Sequence, residues 1–330
     1  IAAARGVAAP AAGHAGADAK AIADSLLSGE RKAVLLGNAA AQHPQAGALL
    51  ALAHWIAAQT GAAVGYLSES ANTVGAQLVN AQPGPGGLNA GQMLADGSLK
   101  AALLLDVEPA LDAADASAAK AALAQAEMVV ALTAFKSAAL EVADVLLPVA
   151  PFTETSGSFV NAEGRVQSFV GVVKPLGETL RVLGNMLALP GFDFETSEDV
   201  RAEALGDVAT LAARLDNGSG VPLVPQAASS GLQRIADVPI YSADSLVRRA
   251  ESLQKTADAR APQASLPASL WQQLGLSSGA RVRVSQGGAS AVLPARLDAT
   301  LAAGTVRVPA GHPDTATLGA MFGAVTVEKA

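Results

Sequence analysis

The chain has 330 residues, enough for a large buried core and for two domains. Hydrophobic residues make up 51% but aromatic ones only 3%, so cores have to be built from Ala and branched aliphatic side chains. A formal charge of −7 without a Lys/Arg block argues against a nucleic-acid surface, and the lack of Cys excludes disulfides and thiolate-ligated zinc or iron–sulfur sites within these residues.

The chain opens IAAARGVAAP and its first Met is Met93, which suggests a piece of a longer polypeptide. A helix is expected around Asp18–Leu27, then a short strand, KAVLL (Lys32–Leu36). Gln45–Gln59 places Leu49, Leu52, Ala53 and Ile56 on one helical face. Its apolar core, AGALLALAHWIAA, is far short of the ~20 apolar residues that span a bilayer, and no segment resembles a signal peptide. AAVGYL (Ala62–Leu67) reads as a strand and NAQPGPGGLNAG (Asn80–Gly91) as a loop. The strand AALLLDV (Ala101–Val107), a helix over Ser117–Gln125, the strand MVVALT (Met128–Thr133), a helix near Ser137–Ala143 and the strand DVLLPV (Asp144–Val149) follow. These short, continuously apolar strands predict a parallel sheet covered by helices on both faces, an α/β class.

Beyond Pro151 the pattern changes. ETSGSFVNAEGRVQ (Glu154–Gln167) crowds polar residues into a chain in which only 15% are charged, and NAEG suits a hairpin turn. The region Leu180–Pro239 reads as helical with loops, and Thr196 is placed to cap a helix carrying Glu198 and Asp199 in its first turn. VPLVPQAASSG and TADARAPQ read as linkers, and YSADSLVRRAESLQK (Tyr241–Lys255) as a charged amphipathic helix. From Pro262, PASLWQQL ends at Gly275 as a short helix. RVRVSQ, SAVLPARL, GTVRVPAG and GAVTVEK are then four strand candidates. The domain boundaries expected are 1–176 for a Rossmann-like domain, 177–260 for a helical connector and 261–330 for a small β-barrel.

Candidate chemistry is sparse. In an open α/β sheet ligands sit beyond the carboxyl ends of the strands, here Gly37-Asn38, Ser68-Glu69, Asp106-Val107-Glu108 and Thr133. GNAAAQHPQAG (Gly37–Gly47) opens a helix but lacks both GxGxxG and a Walker lysine, so an ordinary strand-to-helix loop is favoured over a phosphate site. His14, His43, His54 and His312 are scattered without metal-ligand spacing. Asp106, Glu108 and Asp144 have no sequence-adjacent base or nucleophile. Asn217-Gly218-Ser219 is a chance sequon. The polar run is the best candidate, able to bind a hydrogen-bonding ligand or to stitch a turn to a sheet.

The order of motifs resembles a family. ADVLLPVAPFTETSGSFVNAEGRVQ is similar to a stretch of molybdopterin oxidoreductases, GNAAAQHPQAG to their segment with a Gln-His pair, and LPASLWQQLGLSSGARVRVSQ onward to their terminal double-psi β-barrel. Within that superfamily ESANTVGAQLV, PVAPFTETSGSFVNAEGRVQSF and VPIYSADSLVRRAESLQ resemble the C-terminal half of the large iron–sulfur subunits of bacterial NADH:quinone oxidoreductases. After KPLGE (Lys174–Glu178) that family carries a few more residues, including a Trp, before the helix TLRVLGNMLALP.

The resemblance implies a Rossmann-like parallel sheet with helices on both faces and a double-psi-type barrel. It implies architecture for a complex I electron-transfer subunit: NADH-to-quinone transfer carried by iron–sulfur clusters upstream, peripheral-arm subunits as partners, and the cytoplasmic side of the inner membrane. It makes Gly37, Gln42, His43, Asn161, Arg165 and Gln167 a vestigial pterin pocket, with no cofactor, metal or catalytic residue in this chain. The alternatives are a fragment of an active molybdopterin enzyme such as formate dehydrogenase, in which Gly37, Gln42, His43, Asn161 and Arg165 contact cofactor, and a nucleotide-binding α/β module.

Overall fold

The short runs of Ala, Val and Leu that alternate with helices pair in parallel in two separate sheets, as continuously apolar strands do. The computed structural model describes residues 1–11, 13, 15–136, 141–173, 179–224 and 230–330. The chain divides into two units, one of Ile1–Ala81, Phe159–Gln167 and Leu205–Ser230, the other of Gln82–Ser158, Ser168–Ala204 and Gly231–Ala330.

In the first unit β1 (Ala33–Leu36) and β2 (Ala63–Tyr66) pair in parallel, Ala33 opposite Ala63. The helix Ala46–Thr60 connects them and buries Ala51 and Ala53, small side chains that let helix and sheet approach. It ends at Gly61, whose φ of 77° only glycine adopts without strain. A separate apolar cluster gathers Leu78, Val160, Leu205 and Leu211 with Val74, Val166 and Leu215 around it.

In the second unit β3 (Ala101–Leu105), β4 (Met128–Thr133) and β5 (Val145–Pro148) form a parallel sheet with β4 in the middle. The helix Ala116–Gln125 starts where the Asp115 carboxylate accepts the Ala118 N–H at 2.9 Å, and it buries Ala119, Ala122 and Leu123. Asp144 fixes the start of β5, its carboxylate accepting the Val129 N–H at 2.7 Å. Coverage on both faces holds for β4, where Leu132 is fully buried, but not for the outer strands. Leu103 on β3 and Leu35 on β1 keep 62% and 56% of their surface exposed. The reason is alternation: β3 is an edge strand whose odd-numbered side chains all point to its open face. Residues 137–140 of the helix expected near Ser137–Ala143 lie outside the described residues, as does the shortened lead at Lys174–Glu178.

The polar run folds as a hairpin of β6 (Gly157–Val160) and β7 (Val166–Phe169). The last seven strands make one curled sheet. They are β8 (Gln233–Ile235), β9 (Ala264–Leu266), β10 (Arg281–Gln286), β11 (Ala289–Leu297), β12 (Thr305–Arg307), β13 (Phe322–Ala324) and β14 (Thr326–Lys329), in the order β13-β8-β12-β9-β11-β10-β14. β13 and β14 lie at opposite edges although only Val325 separates them, so the sheet has to curl until its edges meet. Gly287 and Gly288, with φ 58° and 88°, turn β10 into β11 as a two-residue hairpin. Val282 and Val284 face a dry core while Arg281 and Arg283 stay outside, as the alternation predicts. β8 belongs to this sheet although it lies within the stretch expected to be a helical connector.

One other expectation fails. Tyr241–Lys255 is not a continuous helix but two single 3-10 turns, Ile240–Ser242 and Val247–Arg249, followed by the short helix Glu251–Gln254. The Asp244 carboxylate accepts the Leu246 and Val247 N–H groups, a local turn that competes with helix propagation.

Arg234 on β8 occupies the curled interior with 1% exposure. Its guanidinium donates to five uncharged oxygens: Gln286 on β10 and the carbonyls of Val308, Pro309, Gly319 and Ala320, at 3.0–3.3 Å. Burial pulls its pKa down to about 10, so it remains a cation at neutral pH. Arg234→Ala is expected to remove the donor shared by the Gln286 oxygen and the Val308, Pro309 and Gly319 carbonyls and to lower unfolding free energy by on the order of 3 kcal/mol. Urea melts read this directly, and a variant as stable as the parent contradicts it.

Candidate functional site

The carboxyl ends of β1 and β2 are the first place to look for a ligand. Gly37 leads into a helix of only four residues, Asn38–Ala41, whose Ala40 and Ala41 N–H groups donate back to the Gly37 carbonyl. Gln42 is exposed at its end. His43 accepts the Gln45 N–H through Nδ1 at 3.0 Å, closing the turn before the long helix. His54 donates from Nε2 to the Asn217 carbonyl, and the His312 Nδ1 accepts the Asp314 N–H. His14 lies outside the described residues.

The hairpin accounts for most of the polar run by itself. The Asn161 carboxamide oxygen accepts the Glu163 and Arg165 N–H groups at 3.0 and 2.9 Å, and Gly164, at φ 79°, completes the turn. Arg165 reaches the Glu163 carboxylate at 3.5 Å across open solvent, a pair worth little. Gln167 is exposed on β7. Ser158 and Ser168 share a hydrogen bond across the strands, and Arg201 donates to Ser168.

A second tie explains ESANTVGAQLV. Asn72 reaches over Gly75 and accepts the Val160 N–H at 2.9 Å. A Cβ on Gly75 would stand 2.1 Å from that same Asn72 oxygen, so glycine is required beneath it. Arg214 then donates to the carbonyls of Leu78 and Leu205 at 2.7 and 2.9 Å, satisfying acceptors that helix ends leave open. The structure thus brings Asn161 and Arg165 together within one turn, and Asn72 adds a bond to the hairpin from outside the run.

The carboxyl end of β3 is the most charged buried place described. Asp106, just past the strand, sits at φ 48°, unusual for a residue other than glycine. Ser245 donates to its carboxylate at 3.2 Å. Burial raises the Asp106 pKa; the Ser245 bond works against this, while Asp244, Asp112 and Glu108 push it further up. Glu108, only 7% exposed, accepts from Arg248 at 2.9 Å and from Arg249 at 2.5 Å. Arg248 also pairs with Asp112 and donates to the Ser242 carbonyl. Arg249 stacks over Phe135, 4.6 Å from the ring centre. At the carboxyl end of β3, where an open α/β sheet can receive a ligand, Glu108 pairs with two arginines of the same chain.

The sequence profile of the Molybdopterin oxidoreductase family matches residues 14–180, half of the chain. The chain belongs to the molybdopterin oxidoreductase family. An 87-residue stretch is 46% identical to the G subunit of the NADH-quinone oxidoreductase of Mycobacterium bovis, covering 26% of this chain and 10% of that protein. The protein of the same name from Streptomyces coelicolor is 46% identical over 88 residues, again 10% of its length. The match therefore spans about a tenth of these curated relatives. Among solved structures, acetylene hydratase from Pelobacter acetylenicus aligns with a TM-score of 0.53 at 15% identity, over 79% of this chain and 51% of that one, a likeness of fold.

Within this molybdopterin-family chain, Arg248 and Arg249 are the side chains of the buried charged cluster that helical patterning missed. The available signal was their adjacency in a chain poor in charge, with Asp244 supplying a turn in front of them. Glu108→Ala is expected to leave Arg249 without a carboxylate and Arg248 with Asp112 alone, and to lower stability by on the order of 3 kcal/mol in urea melts. Asp106→Asn should act oppositely. The raised folded pKa means that Asp106 favours folding while protonated and opposes it once ionised. The variant's melting temperature should exceed the parent's at neutral pH, the gap closing as pH falls below the Asp106 pKa. A gap that widens towards acid refutes the assignment.

Proposed function

We propose that this chain is the architectural part of the electron-transferring iron–sulfur subunit of an NADH:quinone oxidoreductase, a proton-translocating complex. On this reading the clusters lie elsewhere in the intact subunit, and this part shelters and positions them. Its partners are other peripheral-arm subunits on the cytoplasmic side of the inner membrane, and its curled sheet is a double-psi-type barrel. Likeness to the NADH-quinone oxidoreductase subunits over a tenth of their length supports the assignment, and the lack of Cys agrees with clusters being held by other residues. Among the described residues no helix is long and apolar enough to cross a membrane.

The observation that carries the reading is how the polar run spends its hydrogen bonds. A pterin, the cofactor the family implies, is rich in donors and acceptors and needs protein groups turned towards it. Gly37, Gln42, His43, Asn161, Arg165 and Gln167 do not fit that need. The Asn161 oxygen is committed to two backbone N–H groups of its own turn. Arg165 faces Glu163 in solvent. The Gly37 carbonyl is committed to the Ala40 and Ala41 N–H groups of its own short helix. Among the described residues no buried side-chain nitrogen or oxygen lacks a partner. Such a surface suits architecture better than cofactor binding.

The purified chain should lack iron–sulfur absorbance, fail to oxidise NADH, and co-elute with the cluster-bearing part when the two are coexpressed. Stoichiometric molybdenum or tungsten, or a pterin released on denaturation, would instead identify an active molybdopterin enzyme and sink the proposal.

A further inference from the structure

We propose that Asn217 is a site of spontaneous covalent ageing, at which the side-chain amide is lost as ammonia and the loop before Val221 is released from β2. Of the seven asparagines, only Asn217 precedes a glycine. The tripeptide Asn217-Gly218-Ser219, a chance sequon by its letters, has this second chemistry. The Gly218 backbone nitrogen, on losing its proton, attacks the Asn217 Cγ. A C–N bond forms, the bond from Cγ to Nδ2 breaks, and ammonia leaves with the proton returned from water. Water then opens the five-membered imide at either carbonyl, giving aspartate or isoaspartate at position 217. Glycine favours the step because no Cβ hinders the attacking nitrogen.

The structure explains why so labile a pair is kept and what restrains it. Asn217 lies exposed, and its Nδ2 donates to the Val64 carbonyl on β2 at 2.7 Å while its own carbonyl accepts from His54. Ser219 adds a bond to the Gly47 carbonyl at 3.4 Å. The Gly218 N–H donates to the Asp216 carboxylate at 2.7 Å. A Cβ at position 218 would stand 2.9 Å from that same carboxylate oxygen, so a larger residue would have to push the Asp216 side chain aside. Both reacting groups are thus held by other partners, the amide by β2 and the nitrogen by Asp216. Reaction requires the loop to open, and its rate reports that opening. The product carboxylate has no N–H for the Val64 carbonyl, and isoaspartate adds a backbone carbon that displaces the carbonyl bound by His54. The tie does not re-form.

The test incubates the intact chain in buffer at neutral and mildly alkaline pH and follows the tryptic peptide 215–234 by mass spectrometry, with isoaspartyl methyltransferase labelling. Modification should accumulate at position 217, accelerate with pH, and be absent in Asn217→Gln. Asp216→Ala frees the attacking nitrogen and should speed it roughly three- to tenfold, the worth of one hydrogen bond. A synthetic 215–234 peptide that deamidates while the folded chain stays unmodified overturns the proposal, as does an Asp216→Ala variant that reacts more slowly than the parent.

Discussion

A carboxylate with almost no contact with water organises the second unit. Glu108 sits two residues past the turn that ends β3, and both of its oxygens accept from arginines that lie about 140 residues later in the chain. Burying such a set is costly unless every charge is matched, and here Glu108 and Asp112 face Arg248 and Arg249. The match fixes the turns around Val247 against the sheet, and β8 and β9 of the curled sheet flank those turns in sequence. The parallel sheet and the curled sheet are thereby joined by an interaction that neither could make alone. It also occupies the edge at which an α/β sheet ordinarily receives a ligand.

Composition sets a second constraint. With few aromatic side chains, close approach depends on Ala and Gly, and the helices Ala46–Thr60 and Ala116–Gln125 contribute mostly alanine to the buried surface. This is why the α/β alternation was legible. Runs such as MVVALT are too short and too apolar to be anything but strands between helices, and β4 matches that stretch residue for residue. The curled sheet was legible for a different reason: RVRVSQ alternates with period two, and the Gly-Gly pair after it fixes a tight hairpin. Capping followed local chemistry in the same way, Thr196 accepting the Asp199 N–H as expected of that position.

What could not be read depends on partners distant in sequence. YSADSLVRRAESLQK carries a helical pattern, but Asp244 closes a turn and the two arginines are drawn to Glu108, so tertiary charge overrides local propensity. The strand β8 is three residues long and takes its identity from β12 and β13 beside it, which no window around Gln233 contains. Exposure of Leu103 was hidden because a run of leucines looks the same whether one face or two is covered.

The polar run shows where residue type stops informing function. Asn, Arg and Gln near a strand end suit a ligand and suit a turn equally well, and only the destination of each hydrogen bond separates the two. Asn161 bonds to residues two and four positions ahead, so its chemistry was implicit in VNAEGR as an Asx turn closed by glycine. Asn72 bonds to a residue 88 positions away, and what marked it in the sequence was Gly75, three residues on, where a side chain would collide with it. A glycine inside a short helix is unfavourable unless something must pass over it. Here the amide passing over it joins the helix to the hairpin. Both asparagines thus satisfy backbone N–H groups of the hairpin.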